Sequence, residues 1–237
     1  MDSKFAIKIS NLYKRHSKIF ALDVPSLNIS KGCVIGIIGP NGSGKSTLIK
    51  CLTNTITTFS GNIFFNIDQS FDLYKNQIGV LHEDFCLFEG KTLIENIKII
   101  THLKKISDWN TINQLLSDFN LLNYTQTPFG KLSMGNKQRL GLFCALIHNP
   151  TIVILDEPTN GLDPSGIKFF REKIKELKRL EKTILVTSHI LSELEQYCTH
   201  ICFINKGRIS DPMDIKDILT KYQNVESAFE NFIETKS

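Results

Sequence analysis

Long hydrophobic runs are missing from this sequence. Although 41% of the 237 residues are hydrophobic, apolar runs such as Val34–Ile38 and Ile152–Leu155 are short, and a helix that crosses a bilayer needs roughly 20 apolar residues. The N-terminal residues Met1–Phe5 lead into mixed polar and apolar sequence, without the apolar region and cleavage site of a signal peptide. We therefore expect a soluble protein, in which any attachment to a membrane must come from a partner.

Cysteine is sparse, and no two cysteines form a C-x-x-C pair. Six cysteines in 237 residues are too few for a disulfide scaffold. Cys198, His200 and Cys202 suggest metal ligands, but their segment enters an apolar run in which alternate side chains face opposite sides of a strand. Because structural zinc needs four convergent ligands, we favour packing over a metal site for this segment. The six cysteines all fall within apolar segments of the sequence: Cys33, Cys51, Cys86, Cys144, Cys198 and Cys202.

An excess of charge of one sign is also lacking. The 28 Lys and Arg residues and the 24 Asp and Glu residues are interspersed, and the net charge is +4. Nucleic-acid-binding domains typically carry a clustered basic stripe, so we predict no nucleic-acid partner. The ordinary globular composition, without repeats or low-complexity segments, excludes a fibrous or a disordered chain.

The order of the apolar patterns predicts an α/β fold. Residues 5–27 mostly alternate between apolar and polar, as antiparallel strands do, whereas residues 33–38 form a continuous apolar run typical of a central strand buried on both faces. From residue 151 onward strands alternate with helices, which favours a parallel sheet. We further predict helices at 45–52, 93–122, 137–147, 165–180, 191–197 and 225–233, and strands at 63–65, 78–81, 152–155, 183–187 and 201–204.

A glycine-rich loop follows the first central strand and leads into a helix. It fits the pattern G-x-x-x-x-G-K-[ST], in which glycines let successive backbone N–H groups point at phosphate oxygens, and the following helix adds its positive dipole end. We predict that Lys45 reaches the β- and γ-phosphates, that Ser46 ligates Mg²⁺ and that Thr47 supports the α-phosphate. The candidate phosphate-binding residues are Gly39, Pro40, Asn41, Gly42, Ser43, Gly44, Lys45, Ser46 and Thr47.

Two acidic residues end a buried strand downstream. The run Ile152–Leu155 is followed by Asp156 and Glu157, at the edge where open α/β sheets bind ligands. We predict that Asp156 holds Mg²⁺ through water and that Glu157 takes a proton from the attacking water as general base. The glycine-rich loop and the two acids together predict nucleotide hydrolysis.

The sequence L-S-M-G-N-K-Q-R-L, between these two motifs, indicates the branch of nucleotide hydrolases. It resembles the L-S-G-G-Q signature of the ATP-binding subunits of ABC transporters, since Ser133 and Gly135 match while Met134 and Asn136 depart. A serine followed by a glycine at a helix start makes an anion site. In this family the signature serves the γ-phosphate of the ATP bound by the other subunit, so Ser133, Gly135 and Asn136 are candidate ATP contacts.

The resemblance extends from about Phe5 to Lys206 and implies further roles. In this family two subunits sandwich two ATP molecules head to tail. Asp163, in N-G-L-D-P, resembles the residue of the D-loop, which crosses the dimer interface, and is a further candidate ATP contact. His189 resembles the switch histidine that contacts the γ-phosphate. The resemblance therefore makes Glu157, His189 and Lys45 the candidate catalytic residues.

Three positions depart from the family pattern. Glu83 stands where the family has the Q-loop glutamine, and as a carboxylate we expect it to coordinate Mg²⁺ directly. His16 occupies the position of the aromatic residue that stacks on adenine, with Tyr13 and Phe20 as nearby substitutes. Met134 replaces the first glycine of the signature, so its side chain must point away from the nucleotide.

The segment 84–90 carries apolar residues directly after the Q-loop position. Phe85, Leu87 and Phe88 fit two interpretations. They either belong to the core of the helical insertion or line a groove that receives a cytoplasmic helix of a membrane subunit. Both interpretations can hold for different side chains.

The resemblance implies a single ABC-type ATPase domain over residues 1–237. The implied fold class is α/β: a P-loop NTPase core with a central parallel sheet, an N-terminal antiparallel β-subdomain and an inserted α-helical subdomain. We assign 1–83 and 148–210 to the core with its antiparallel β-subdomain, 84–147 to the helical subdomain with the signature, and 211–237 to a C-terminal extension.

The resemblance also implies an ATP hydrolase that uses ATP and Mg²⁺, a homodimer that forms on ATP binding, and a separate integral membrane permease that holds the protein at the cytoplasmic face of the membrane. Residues 132–191 are most similar to exporters of the drug, bacteriocin-immunity and antibiotic-resistance group. One alternative is a single-cassette ABC ATPase that acts on a cytoplasmic scaffold without transport. Another is an ATP-gated binding protein without hydrolysis, against which Glu157 and His189 argue.

Overall fold

The continuous apolar runs form the parallel part of one curled sheet. The computed structural model describes residues 4–15, 21–67 and 77–235. All residues of three of the parallel strands are buried, as expected for strands whose two faces are both covered. In spatial order the parallel strands are β8 (His200–Asn205), β3 (Val34–Ile38), β7 (Thr183–Ser188), β6 (Ile152–Asp156) and β5 (Ile78–Leu81).

The alternating N-terminal segment forms antiparallel strands, which confirms the α/β class with an antiparallel part. Strand β1 pairs on one side with β2 and on the other with β4, both antiparallel. A short strand, β9, joins this part to the parallel part because it pairs with both β2 and β8. These strands are β1 (Phe5–Arg15), β2 (Ala21–Ser30), β4 (Ser60–Phe65) and β9 (Arg208–Ile209).

Each predicted helical segment contains a helix, and the first helix has the predicted bounds, but the predicted segment 93–122 is divided into two helices. Side-chain caps fix several starts: Thr92 and Glu95 form a reciprocal capping box, and Asp108 accepts from two N–H groups of the next helix. The helices are α1 (Lys45–Leu52), α2 (Leu93–Leu103), α3 (Trp109–Asp118), α4 (Met134–Leu146), α5 (Pro164–Arg179), α6 (Leu191–Leu194), α7 (Ile215–Tyr222) and α8 (Val225–Thr235), with 3₁₀ turns at Leu122–Tyr124 and Phe129–Lys131.

The structure differs from the sequence-based predictions in the region that follows strand β7. Helix α6 ends at Leu194, three residues before the predicted Tyr197, because the Thr199 N–H bonds to the Val34 carbonyl and starts strand β8. Helix α7 and the short strand β10 (Met213–Asp214) were not predicted. The apolar residues Ile215, Ile218, Leu219 and Tyr222 of α7 have helical spacing, so the sequence carried a signal for this helix that the prediction missed.

The core lies on both faces of the sheet. Alternate residues of β3 and β6 fall into different clusters: Ile38 and Val153 pack against helices α2 to α5, whereas Ile37 and Ile154 pack against α1 and the antiparallel strands. Helix α4 packs on β5 and shares the first cluster, so it joins the helical segment 84–147 to the sheet. The domain boundaries given above stay predictions.

Cysteine placement follows the two faces of the sheet. Cys198 belongs to one cluster and Cys202 to the other, so their side chains lie on different sides of the sheet. Cys86 is exposed, although its neighbours Phe85 and Leu87 pack against the first cluster. Among the helices of the described residues, none has both the length and the apolar character of a membrane span.

Candidate nucleotide site

The glycine-rich loop connects the carboxyl end of β3 to the first residue of α1. Gly42 and Gly44 have φ values of 77° and 113°, in the left-handed region that favours glycine. A side chain at Gly39 would collide with the backbone, since its Cβ would lie 2.1 Å from the Ile204 carbonyl oxygen. The loop is therefore held close to the sheet with its tip, at Asn41 and Gly42, exposed.

Ser43 provides a test of whether this loop fits an anion. Its hydroxyl oxygen is buried and has no hydrogen-bond partner, while its carbonyl accepts from the Gly207 N–H. An unpartnered buried hydroxyl is costly unless a ligand completes it. Together with the free N–H groups at the start of α1, it fits a phosphate.

Lys45 lies across the inside of the loop. Its ammonium donates to the Gly39 carbonyl at 2.8 Å and to the Pro40 carbonyl at 3.3 Å. It also forms an ion pair with Glu157 Oε1 at 3.2 Å. The predicted phosphate-binding cation and the predicted base thus meet directly.

The two acids lie where β6 ends, next to the loop. Asp156 Oδ1 accepts from the Ser46 hydroxyl at 3.5 Å, so the two predicted Mg²⁺ ligands are adjacent. Both supply oxygen ligands of the kind Mg²⁺ prefers. Glu157 has φ 48° and is buried, and this turn directs its side chain toward Lys45.

His189 completes the group. Its Nδ1 lies 2.8 Å from Glu157 Oε2; because a carboxylate only accepts, the Nδ1 carries the hydrogen. One carboxylate therefore bridges a lysine on α1 and a histidine after β7. The structure brings together Lys45, Ser46, Asp156, Glu157 and His189.

The signature residues begin helix α4. Ser133 is the N-cap, and its hydroxyl accepts from the Asn136 N–H at 3.3 Å. Ser133 and Met134 are exposed, and a side chain at Gly135 would meet no atom within 4 Å. The signature thus presents an open face with a serine and a helix N-terminus.

Comparison with known proteins identifies the family. A family model described as ABC transporter matches residues 22–160. The chain belongs to the ABC transporter family. The matched range contains the glycine-rich loop, the signature and both acids.

Two curated ABC relatives are similar over most of this chain. The lantibiotic transport ATP-binding protein SrtF of Streptococcus pyogenes is 40% identical over 231 residues, which cover 96% of this chain and 97% of SrtF. The bacitracin transport ATP-binding protein BcrA of Bacillus licheniformis is 37% identical over 232 residues, which cover 95% of this chain and 76% of BcrA.

Solved ABC structures share the fold. A structure described as the ATP-binding subunit of an ABC transporter is 25% identical with a TM-score of 0.81, and the match covers 98% of this chain and all of that one. A nucleotide-free ATP-binding cassette from an ABC transporter is 26% identical with a TM-score of 0.77, over 94% of this chain and 98% of the other. The chain is thus an ATP-binding subunit of the ABC transporter type.

The D-loop aspartate of this ABC subunit is used as a helix cap. Asp163 Oδ1 accepts from the Gly166 N–H at 2.9 Å, and the Ser165 hydroxyl donates to Oδ2 at 2.9 Å. The Gly166 N–H bond, followed by the Ser165 bond, lowers the pKa of the Asp163 carboxyl. Both carboxylate oxygens of Asp163, a candidate ATP contact, therefore accept hydrogen bonds at the start of helix α5.

The Q-loop position contacts the D-loop. The Asn160 side-chain amide donates to Glu83 Oε1 at 3.3 Å, and both residues are exposed. Direct Mg²⁺ coordination by Glu83 stays a prediction. His16 and Phe20, proposed for adenine stacking, lie outside the described residues, and Tyr13 is exposed.

Sequence analysis did not single out Thr187. The fully buried Thr187 hydroxyl donates to Asp156 Oδ1 at 2.6 Å and accepts from the Glu157 N–H at 2.9 Å. The adjacent hydroxyl residues Thr187 and Ser188 directly before His189 were the signal available in the sequence.

Sequence analysis also missed Thr159. Its hydroxyl donates to Glu193 Oε2 at 2.6 Å, and both side chains are buried. This bond ties the turn after Glu157 to helix α6, which follows His189.

Proposed function

We propose that this chain hydrolyses ATP as the energy-supplying subunit of an ABC exporter. The observation that carries the proposal is the position of Glu157, which lies between Lys45 and His189 and directly after Asp156. A general base, a phosphate-binding cation and a metal-binding carboxylate adjoin in this arrangement, as ATP hydrolysis requires.

The chain's own residues account for the proton transfer. In the described geometry Lys45 partly neutralises Glu157. When Lys45 binds the phosphates of ATP, Glu157 keeps the hydrogen bond from His189 and becomes available to accept a proton from the attacking water. Mg²⁺, held by oxygens of Ser46 and Asp156 with Glu83 as a further ligand, would neutralise charge on the β- and γ-phosphates.

The proposed transporter contains two copies of this subunit and a membrane protein. Each ATP would lie between the glycine-rich loop of one subunit and Ser133, Gly135 and Asn136 of the other. A separate integral membrane permease would hold the dimer at the cytoplasmic face of the membrane. The names of SrtF and BcrA, which refer to lantibiotic and bacitracin transport, support export of antibiotic-like compounds.

A groove beside the Q-loop position supports the contact with a permease. The groove has a volume of about 340 Å³ and includes Phe85, Phe129 and Met134. Phe85 packs edge-on against Phe129 with ring centroids 6.1 Å apart, so it belongs to the core, whereas Phe88 is 60% exposed. We propose that Phe88 and the groove receive a cytoplasmic helix of the permease.

Replacement of the base tests the hydrolysis proposal. Glu157→Gln keeps an oxygen that accepts from Lys45 and removes the proton acceptor. We expect it to bind ATP, to lower kcat by about 10²–10⁴, and to accumulate as a dimer with MgATP in size-exclusion chromatography.

The matched control is Glu172→Gln, which removes a charge from the exposed face of α5. It should hydrolyse ATP at the wild-type rate. A Glu157→Gln protein that stays monomeric and hydrolyses as fast as the control would remove Glu157 from the role of base.

A further inference from the structure

One hydroxyl group connects the two acids of the site through an adjacent strand. Thr187 is the penultimate residue of β7 and is paired with Asp156 of β6. Its side chain is fully buried. The hydroxyl contacts the carboxylate of Asp156 at 2.6 Å and the backbone nitrogen of Glu157 at 2.9 Å.

The chemistry of a hydroxyl fixes the direction of both bonds. A threonine hydroxyl has one hydrogen to donate and two lone pairs to accept with. Since the Asp156 carboxylate can only accept and the Glu157 N–H can only donate, the hydrogen of Thr187 points at Asp156 and a lone pair faces Glu157. The Thr187 hydroxyl therefore both donates and accepts a hydrogen bond within the site.

Each bond supports a feature on which the proposed reaction depends. The Asp156 oxygen that accepts from Thr187 is Oδ1, which also accepts from Ser46, so Thr187 orients the edge of the carboxylate that faces the other predicted metal ligand. The second bond stabilises the unusual left-handed turn at Glu157, φ 48°, which a glutamate rarely adopts without support. That turn directs Glu157 at Lys45 and His189.

We propose that Thr187 is a positioning residue for ATP hydrolysis, which holds the metal-facing carboxylate and the general base in one fixed geometry. This inference rests on the proposed function. Loss of the hydroxyl should slow the chemical step and raise the Mg²⁺ requirement, while ATP still binds to the glycine-rich loop.

A second threonine on the same strand supplies a matched control. Thr183, the first residue of β7, is also buried, and its hydroxyl also accepts from a backbone N–H, that of Gly32, at 3.0 Å. Thr183 lies at the opposite end of the strand from the two acids. Thr183→Val therefore reproduces the loss of a buried hydroxyl without touching the site.

The experiment compares Thr187→Val, Thr187→Ser and Thr183→Val with the wild type. ATPase rate is measured against ATP and against Mg²⁺, ATP affinity by equilibrium binding, and Tm by thermal unfolding. Loss of an outer-shell partner of this kind typically lowers activity or metal affinity 10–100-fold. We expect about that loss of kcat and a raised half-saturating Mg²⁺ for Thr187→Val, with ATP affinity within about threefold of wild type.

Rescue separates positioning from packing. Thr187→Ser restores the hydroxyl and should recover kcat and the Mg²⁺ requirement, whereas Thr183→Val should keep both even though its Tm falls. The inference is overturned if Thr187→Val keeps the wild-type kcat and Mg²⁺ dependence, or if Thr183→Val loses as much of each. If Thr187→Val does not fold, Thr187→Ala takes its place, and a folded Ala variant with wild-type kcat overturns the inference.

The same measurements distinguish a failure of the proposed function from a failure of the role proposed for Thr187. A wild-type protein without ATPase activity, or a Glu157→Gln protein with full activity, contradicts the proposed function. An active wild type and an inactive Glu157→Gln, combined with a fully active Thr187→Val, contradict the role of Thr187 alone.

Discussion

Lys45 and Glu157 form a buried ion pair, and this decides how the site must be probed. Both side chains are almost completely buried. Removing one partner of a buried pair leaves an uncompensated charge and typically costs about 3–5 kcal/mol of stability. Glu157→Gln also removes the charge that compensates Lys45, but it keeps the shape and the hydrogen-bond acceptor, so it separates chemistry from folding better than truncation to alanine.

Glu83 is the residue whose chemistry departs most from the family pattern, and its charge provides a prediction. If its carboxylate coordinates Mg²⁺, Glu83→Gln should leave the fold intact and raise the Mg²⁺ concentration for half-maximal hydrolysis. Glu83→Ala should raise it further, because it also removes the acceptor for the Asn160 amide. ATPase rate against Mg²⁺ at fixed ATP measures both effects.

The adjacent exposed acid supplies the control for Glu83. Asp84→Asn removes the same unit of charge one residue further along the loop. Mg²⁺ curves that superimpose for wild type, Glu83→Gln and Asp84→Asn would show that Glu83 does not bind the metal. Equal shifts for both variants would show an effect of overall charge instead.

Helices α7 and α8 make the C-terminal extension part of the core. The rings of Phe229 and Phe232 lie 5.5 Å and 5.8 Å from the ring of Phe203 in β8. The Val225 N–H at the start of α8 bonds to Glu195 directly after α6, the helix that follows His189. The extension therefore packs on the sheet and contacts the segment that follows His189.

Truncation of the α8 aromatic anchor should lower stability measurably. Phe232 is 8% exposed, and Phe→Ala substitutions in cores cost roughly 3–5 kcal/mol. We expect the free energy of unfolding of Phe232→Ala to fall by about 3 kcal/mol in urea denaturation. Leu219→Ala, at a position of α7 that is 43% exposed, should change it by less than about 0.5 kcal/mol. Equal, small changes for both would mean that α8 contributes little to the stability of the core.

The signature residues Ser133 and Met134 are exposed in one subunit, so their proposed contact with ATP requires a second copy of the chain. Ser133 caps its own helix and points outward, whereas the group around Glu157 lies inside one subunit. If Ser133 acts on ATP held by the other subunit, Ser133→Arg should abolish hydrolysis and leave ATP binding to the monomer near normal. Lys45→Ala should instead weaken ATP binding itself.

Mixed dimers test this assignment. Ser133→Arg and Lys45→Ala subunits combined would contain one intact site and one doubly altered site, so mixing should restore part of the ATPase activity. Ser117→Arg, an exposed serine at the end of α3, controls for the added arginine and should be fully active. A fully active Ser133→Arg protein would contradict the assignment to the opposite site.

The sequence by itself determined most of the local elements and the family. The bounds of α1 were predicted because the strand, the glycine turn and the helix are contiguous and each has its own local pattern. The α/β order followed from the same kind of pattern. Three motifs were recognisable because each is a run of consecutive residues: the loop 39–47, the acids 156 and 157, and the signature.

Only the tertiary structure decided which distant side chains meet. The contacts of Glu157 with Lys45 and His189, of Asn160 with Glu83, and of Thr187 with both acids join segments far apart in the chain. Thr187 depends on the register of β6 and β7, which sets it opposite Asp156. A shift of one residue would turn its side chain to the other face of the sheet, and that register is fixed by packing on both faces, which no local sequence pattern encodes.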